Sequence, residues 1–176
     1  MPQTAEQQYP SSTLIVFCFI RRGDEVLLVE RALPPYQGMR TIPGGHKNRG
    51  EELFAACLRE MKEETGLTLH DCRFAGHMQV HRNDRTSGPE ALCLYYVADE
   101  FSGEVTPSEE GFLTWTNMDA ALKDTGTHPA LRALLPSVRD NACPFMAEAY
   151  VDANGKGEFR VTGPGAGAKP VVMRLE

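Results

Sequence analysis

Residues 45–67 read GHKNRGEELFAACLREMKEETGL, and this stretch decides the fold. Between residues 52 and 65 it contains good helix formers without glycine or proline, and apolar side chains recur at three- and four-residue steps. Those apolar side chains are Phe54, Cys57, Leu58 and Met61. The spacing predicts an amphipathic helix over 52–65, and Gly66 follows where a left-handed terminating residue is expected.

Three glutamates share one face of this predicted helix. Glu60, Glu63 and Glu64 are three and four residues apart, so their carboxylates project together beside the apolar stripe. Such a cluster by itself is also typical of a solvated acidic helix face. Like charges at this spacing destabilise a helix slightly, and a bound divalent cation would reverse that cost. Carboxylate oxygens are ligands that suit magnesium or manganese.

Strand-like segments precede and follow the helix. Residues 13–20 are rich in β-branched and aromatic side chains, and a turn joins them to a second apolar run at 26–30. The later predicted elements are strands near 73–80, 91–98 and 112–116, weak helices at 119–122 and 129–134, and a hairpin over 145–161 that turns at Asn154-Gly155. This order predicts an α/β domain in which helices cover both faces of a mixed sheet.

A chain of 176 residues is typical of a single domain. Residues 1–12 are polar with two prolines, and 163–170 are rich in glycine, alanine and proline. We therefore predict a flexible N-terminus over 1–12, one domain over 13–161 and a flexible C-terminal tail over 162–176.

Composition excludes several classes of protein. Apolar residues make up 41% and charged residues 24% of the chain, and its longest apolar stretch, 14–20, is too short to cross a bilayer. No basic segment precedes that stretch, so a secretory signal is not expected and a cytoplasmic location is. A formal net charge of −6 disfavours stable nucleic-acid binding but leaves room for a small anionic ligand.

The five cysteines are odd in number and scattered along the sequence, without the close pairs of a zinc knuckle or redox dithiol. They are Cys18, Cys57, Cys72, Cys93 and Cys143. We interpret them as reduced core residues, and no zinc site is predicted.

The complete stretch matches the pattern G-x5-E-x7-R-E-U-x-E-E-x-G-U, where U is apolar. The matching residues are Gly45, Glu51, Arg59, Glu60, Met61, Glu63, Glu64, Gly66 and Leu67. With each fixed residue type at roughly 7% abundance, a chance match has odds on the order of 10⁻⁹ per starting position. This is the signature of the Nudix hydrolase family, which the chain resembles, in its MutT-like branch, over about 13–161. The resemblance implies a Nudix-type α/β/α sandwich and hydrolysis of a nucleoside diphosphate linked to another group.

The resemblance also implies a set of site residues and a cofactor, Mg²⁺ or Mn²⁺. The implied metal ligands are Gly44 through its carbonyl, Glu60, Glu63, Glu64 and Glu110. Glu109 beside Glu110 leaves that assignment ambiguous. The implied catalytic residues are Glu60 as favoured general base, Glu63, and Arg59, which orients Glu63. The implied substrate-binding residues are Arg31, Thr41 and Gly45, whereas Glu51 is expected to brace the loop before the helix.

The chain order looks most like relatives that cleave oxidised purine nucleoside triphosphates, such as 8-oxo-dGTP, to monophosphate and pyrophosphate. Thr41 stands where such relatives often carry a purine-reading asparagine, and a Trp-Pro-Asp-Asp element is absent around 127–130. Base preference is therefore expected to be modest, about 10–100-fold.

Alternative activities are an ADP-ribose or other nucleotide-sugar pyrophosphatase, a prenyl diphosphate isomerase, or a nucleotide sensor without turnover. The proline of ADP-ribose hydrolases is missing in the region of Arg82, and the three intact glutamates disfavour a sensor. The expected partner is a small-molecule nucleotide, with no membrane, and a homodimer is compatible with the sequence.

Overall fold

The computed structural model describes residues 12–34, 36–82, 90–106, 108–152, 157–162 and 171–175. In these ranges the strands are β1 (Ser12–Arg22), β2 (Glu25–Arg31), β3 (Arg40–Thr41), β4 (Gly44–His46), β5 (Thr68–Leu69), β6 (Cys72–Arg82), β7 (Glu90–Ala98), β8 (Phe101–Ser102), β9 (Gly111–Asn117), β10 (Phe145–Val151), β11 (Gly157–Thr162) and β12 (Val171–Leu175). The helices are α1 (Leu53–Thr65), α2 (Met118–Lys123) and α3 (Pro129–Arg139).

The main sheet is mixed and runs in the order β12-β11-β10-β6-β7-β1-β2-β3. β1 pairs in parallel with β7, and β10 pairs in parallel with β6. β4 also pairs with β1, and β9 pairs with β2. The predicted hairpin between β1 and β2 closes only at its tip, through Arg21↔Val26 and Arg22↔Glu25. Beyond the tip the two strands diverge, which opens space between the two parts of the sheet.

Two apolar cores lie on opposite faces of β1. Val16, Cys18 and Ile20 point toward α1, whereas Phe17 and Phe19 point toward the core that contains α3. This alternation is what a strand buried on both faces requires, because successive side chains of a strand point to opposite faces. The layers match the predicted α/β class, with helices on both faces of a mixed sheet.

Helix α1 begins within one residue of the predicted start. Cys57 and Met61 are fully buried, as their spacing predicts, but Phe54 is 46% exposed and only the edge of its ring meets Tyr96, with centroids 6.2 Å apart. Gly66 ends the helix with φ of 77°, and its N–H donates to the Lys62 carbonyl. The left-handed terminator expected from the sequence is therefore present.

Helix α3 is longer than predicted, because it continues through Pro136 to Arg139. Leu134, Leu135 and Val138 are all buried in the core on that face of the sheet. Burial of these apolar side chains stabilises the extra turn despite the proline, whose missing N–H normally weakens a helix.

The C-terminal boundary predicted at residue 161 is too early. Val171–Leu175 fall in the segment predicted as a flexible tail, but they form β12, which pairs antiparallel with β11. Its β-branched start and the open edge of β11 explain the pairing. The predicted flexible residues 1–11 and 163–170, and the predicted turn at Asn154-Gly155, lie outside the described residues.

No helix in the described ranges is long and apolar enough to cross a membrane.

Two glycines allow the helix terminator to be tested. Gly66 and Gly50 have similar left-handed φ angles of 77° and 79°. A Cβ at Gly66 would clash with the Thr106 hydroxyl and lie 2.8 Å from the Glu104 carbonyl oxygen. A Cβ at Gly50 would meet nothing within 4 Å. Gly50→Ala should cost only the left-handed penalty of about 1–2 kcal/mol, and Gly66→Ala clearly more. Chemical denaturation of both variants checks this, and equal losses would contradict the steric argument.

Candidate functional site

A cavity of about 760 Å³ opens beside α1, between the two parts of the sheet. Glu60 and Glu64 from α1 and Glu110 from the segment before β9 all line it. Of the two neighbouring glutamates that the sequence could not separate, Glu110 is the one in the cavity lining. Three carboxylates thus line one cavity.

Arg59 connects charged groups on α1 with one in the loop before it. Its guanidinium donates to both oxygens of Glu51 at 2.8 and 3.0 Å, and its Nη1 donates to Glu60 at 2.8 Å and to Glu63 at 2.9 Å. Nη2 also donates to the His46 carbonyl at 3.0 Å. Because the Arg59 guanidinium binds three carboxylates and the His46 carbonyl of β4, it fixes the position of Glu60 relative to β4.

Glu51 braces the loop, as expected. Its Oε2 accepts from the Asn48 N–H at 2.9 Å in addition to Arg59. The hydrogen bond from Arg59 lowers the pKa of Glu51 to about 2, with the Asn48 N–H as the next contribution. Glu51 is therefore ionised at any physiological pH.

The glycine pair Gly44-Gly45 lies in β4. Gly44 donates its N–H to Glu64 Oε2 at 2.9 Å. A Cβ on Gly45 would collide with the carboxyl group of Glu60, and one on Gly44 with the Phe17 ring and the Val16 carbonyl. The Glu60 carboxyl group lies this close to β4 only because Gly45 lacks a side chain, whereas Gly44 lets β4 pack closely on β1.

Glu64 is held in an unfavourable electrostatic setting. Burial raises its pKa to about 7, the Gly44 N–H opposes that shift, and the negative charges of Glu110 and Glu60 add to it. Arg31, which lies 3.7 Å from the Glu110 carboxylate, partly offsets these charges. The site therefore has an excess of negative charge that a bound cation would neutralise.

The donor set fits a hard divalent cation. The cavity lining offers carboxylate oxygens from Glu60, Glu64 and Glu110, and magnesium and manganese prefer such oxygen ligands. The raised pKa of Glu64 is consistent with a cation site. Crowded and partly buried carboxylates are destabilised when they are ionised, and a bound cation stabilises them.

Much of the remaining cavity wall is apolar, and it includes two histidines, His46 and His128. His128 caps α3: its Nδ1 accepts from the Ala130 N–H at 3.2 Å. Burial lowers the pKa of His128 to about 4, helped by the nearby charges of Arg31 and Arg132. The ring is therefore neutral with its proton on Nε2, and that buried N–H has no hydrogen-bond partner among the described residues.

Tyr36 packs edge-on against His128, with ring centroids 4.4 Å apart. Tyr36 is 41% exposed and has φ of 67°, which is uncommon for a residue with a side chain. A partly exposed aromatic ring thus packs against the buried histidine in the cavity wall.

Most of the residues that the sequence indicated meet in this cavity. Arg31, Thr41, Gly44, Gly45, Glu60, Glu64 and Glu110 line it. Arg59 and Glu63 do not: Arg59 lies behind the carboxylates, and the Glu63 side chain is 59% exposed while paired with it. Glu63 points away because it follows Glu60 by three residues, nearly but not fully one helical turn.

Sequence reasoning missed His128 and the role of the α3 start. The only local indication was a histidine immediately before Pro129, which marks a helix start but not a cavity. The Trp-Pro-Asp-Asp element expected of a base-reading segment is absent around 127–130, and His128 lies in that segment.

Comparisons with known proteins agree with this geometry. Residues 12–138 match the NUDIX domain family. A protein of Pseudomonas aeruginosa (strain LESB58) described as the NAD-capped RNA hydrolase NudC is 29% identical over 123 residues, which are 68% of this chain and 41% of that protein. A Nudix hydrolase of Bacillus subtilis (strain 168), YvcI, is 30% identical over 104 residues, 58% of this chain and 64% of the relative. The chain thus spans less than two thirds of the length of these relatives.

Solved structures share the fold. The mutator MutT protein from Bacillus halodurans superposes with a TM-score of 0.75 at 23% identity, covering 85% of this chain and 97% of that one. A MutT NUDIX hydrolase from Burkholderia pseudomallei gives 0.63 at 27% identity, covering 73% and 98%. The NUDIX domain of Shewanella oneidensis NrtR, in complex with ADP ribose, gives 0.65 at 17% identity, covering 78% and 92%.

The charge excess at Glu64 predicts a pH-dependent stability. The pKa of Glu64 is about 7 in the folded state, above its usual value of 4.5. Between pH 4.5 and 7 the folded state therefore binds more protons than the unfolded state, and the protein loses stability as pH rises through this interval. With metal removed by EDTA, Glu64→Gln should raise the Tm relative to the wild type at pH 8, and this gain should shrink toward pH 5.

Glu63→Gln is the matched control, because it removes the same charge from an exposed position on the same helix. We expect only a small change in its Tm, without this pH trend. Thermal melting from pH 5 to 8 measures both variants, and a Glu64→Gln gain that is constant with pH would contradict the assignment.

Proposed function

Because the chain belongs to the Nudix family, we propose that it is a metal-dependent hydrolase that cleaves nucleoside triphosphates to monophosphate and pyrophosphate. The observation that carries this proposal is the cavity that joins three carboxylates to a largely apolar wall containing His128. A nucleotide has the same two parts: a polyphosphate that needs a cation, and a flat base that needs an apolar slot with few hydrogen-bonding groups.

We assign the metal-binding role to Glu60, Glu64 and Glu110, with the Gly44 carbonyl and Glu63 as further ligands implied by the family. The cofactor is Mg²⁺ or Mn²⁺, and when bound it neutralises the phosphates and activates a water. Glu60 takes the proton from that water as general base, since it is buried beside the glycine pair and oriented by Arg59. Arg59 is a positioning residue, because it lies outside the cavity lining.

We assign substrate binding to other residues of the cavity lining. Arg31 carries a positive charge 3.7 Å from Glu110 and can pair with a phosphate or hold the nucleotide. Gly45 leaves room for the phosphates near α1, and Thr41 offers a hydroxyl in place of an amide. His128 offers the Nε2–H to an acceptor on the base when the Tyr36 ring moves aside.

The base preference follows from the groups that we assign to base readout. Thr41 offers a hydroxyl in place of a purine-reading amide and His128 offers one N–H, so we propose only about 10–100-fold selectivity for an oxidised base such as that of 8-oxo-dGTP.

A second candidate is hydrolysis of a dinucleotide or nucleotide sugar. It is favoured by relatives named as NAD-capped RNA hydrolases and by the ADP-ribose complex of a protein with the same fold. Both kinds of substrate contain a nucleoside diphosphate, so the carboxylate cluster would serve either one.

The test is a substrate panel with product identification. Normal and oxidised nucleoside triphosphates, ADP-ribose, NAD, dinucleoside polyphosphates and a prenyl diphosphate are incubated with the protein and either Mg²⁺ or EDTA. Metal-dependent release of pyrophosphate from triphosphates is the expected result. Preference for ADP-ribose or NAD would move the assignment to the second candidate, and isomerisation without phosphate release would refute hydrolysis.

Removal of the cavity carboxylates should abolish most turnover. Glu60→Gln and Glu64→Gln should each lower kcat by about 10²–10⁴ while the far-UV circular dichroism stays native. Glu52→Gln is the control, since Glu52 is an exposed glutamate at the start of the same helix. Near-normal turnover in both cavity variants, measured as pyrophosphate release, would refute the metal-cluster assignment.

The histidine donor should affect binding more than chemistry. His128→Phe removes the Nε2–H and should raise KM about 5–10-fold with kcat nearly unchanged, which is the value of one hydrogen bond. It also removes the cap on α3, so His128→Asn, which keeps an acceptor for the Ala130 N–H, serves as the control. We expect His128→Asn to recover the Tm but not the KM; recovery of both would show that capping alone was responsible.

A further inference from the structure

Three cysteine thiols meet on the α1 side of the sheet. Cys18 lies on β1, Cys57 on α1 and Cys72 at the start of β6, and their sulfur atoms all lie within 4.8 Å of one another. The Sγ atoms of Cys57 and Cys72 are 3.8 Å apart. The sequence predicted reduced core cysteines without close pairs along the chain, and the fold brings three of them together from positions that are far apart in the sequence.

The three thiols are not equivalent. Cys18 and Cys57 are fully buried, whereas Cys72 is half-buried and reaches the surface. Hydrogen bonds from Cys18 and then Cys57 lower the pKa of Cys72 to about 4. An accessible thiolate beside a second thiol is the usual arrangement of a peroxide-reactive cysteine and its resolving partner.

We propose that Cys72 is a site of oxidation by hydroperoxides and that Cys57 resolves it as a disulfide between β6 and α1. The Cys72 thiolate attacks one peroxide oxygen and breaks the O–O bond, giving a sulfenic acid and a hydroxide or alkoxide, which takes a proton from solvent and leaves as water or an alcohol. The Cys57 sulfur then attacks Cys72 and displaces the hydroxyl, which leaves as water with the Cys57 proton. The two cysteines lose two electrons, and the hydroperoxide gains them.

A metal site on the same thiols is less consistent with the surroundings. A soft cation about 2.3 Å from three sulfurs would need Cys18 and Cys57 as thiolates inside an apolar core. Burial raises the pKa of Cys18 well above its usual range, and in the described part of the chain no fourth metal-binding side chain joins the group. A disulfide carries no charge, so its burial requires no desolvation of an ion.

The disulfide would also act on the metal-binding helix, a step that rests on the proposed function. The two sulfurs must approach by about 1.8 Å to bond, and Cys57 lies three residues before Glu60 on α1. Displacement of catalytic groups by about 1 Å can lower turnover severely. The oxidised protein should therefore hydrolyse its substrate more slowly and recover with dithiothreitol.

The test treats the full-length protein with hydrogen peroxide, blocks free thiols by alkylation and maps the peptides by mass spectrometry. We expect a cross-link between the Cys57 and Cys72 peptides that dithiothreitol removes. Cys143→Ser is the matched control, because Cys143 is also half-buried but lies outside the cluster, and it should leave the cross-link intact. Cys72→Ser and Cys57→Ala should each abolish the cross-link, so a folding defect in one does not decide the result.

Several outcomes would overturn the proposal. All five thiols remaining open to alkylation, a cross-link to Cys18 in place of Cys72, or oxidation of Cys72 only to sulfinic acid would each refute it. A bound thiophilic metal that protects all three thiols would refute it as well. A mapped cross-link with unchanged turnover would leave the disulfide standing and refute only its effect on α1.

Discussion

The contact of Arg59 with three carboxylates is the interaction on which the rest of the site depends. Without this cation, Glu51, which precedes α1, and Glu60 and Glu63 on α1 would repel one another. Because the guanidinium also binds the His46 carbonyl, it fixes α1 against β4 at the same time. One side chain thus allows a helix to present negative charge to a cavity while remaining packed on the sheet.

The backbone supplies the second half of this arrangement. The glycine pair of β4 brings the sheet close enough for its N–H to bind Glu64, and the absence of side chains leaves space for Glu60. Arg59 satisfies Glu60, but the Glu64 charge is only partly compensated, which explains its raised pKa. The site is therefore stable yet electrostatically incomplete, as expected for a binding site whose ligand is a cation.

Sequence predicted the parts of the molecule that depend on local spacing. The α1 stripe, its glycine terminator and the carboxylate face all lie within 23 consecutive residues, so helical geometry alone places them. Phe54 and Glu63 were the exceptions there, since Phe54 is 46% exposed and the Glu63 carboxylate pairs with Arg59 outside the cavity. The positions of His128 and the Cys18–Cys57–Cys72 cluster could not be predicted, because each depends on contacts between segments distant in sequence.

The residues assigned to catalysis and the residues that form the cavity wall also differ in how far apart they lie in the sequence. The groups assigned to the metal come mainly from one continuous segment, whereas the apolar wall is assembled from β1, β6, β7, β10 and the start of α3. A change in any one of those distant elements would alter the wall and leave the carboxylates in place. The continuous segment can therefore stay constant while the wall varies, and a family identified by its helix can contain members that bind different bases. In this chain the wall contains the neutral His128 ring, whose buried Nε2–H has no hydrogen-bond partner among the described residues. A substrate that binds in the cavity would have to match this donor.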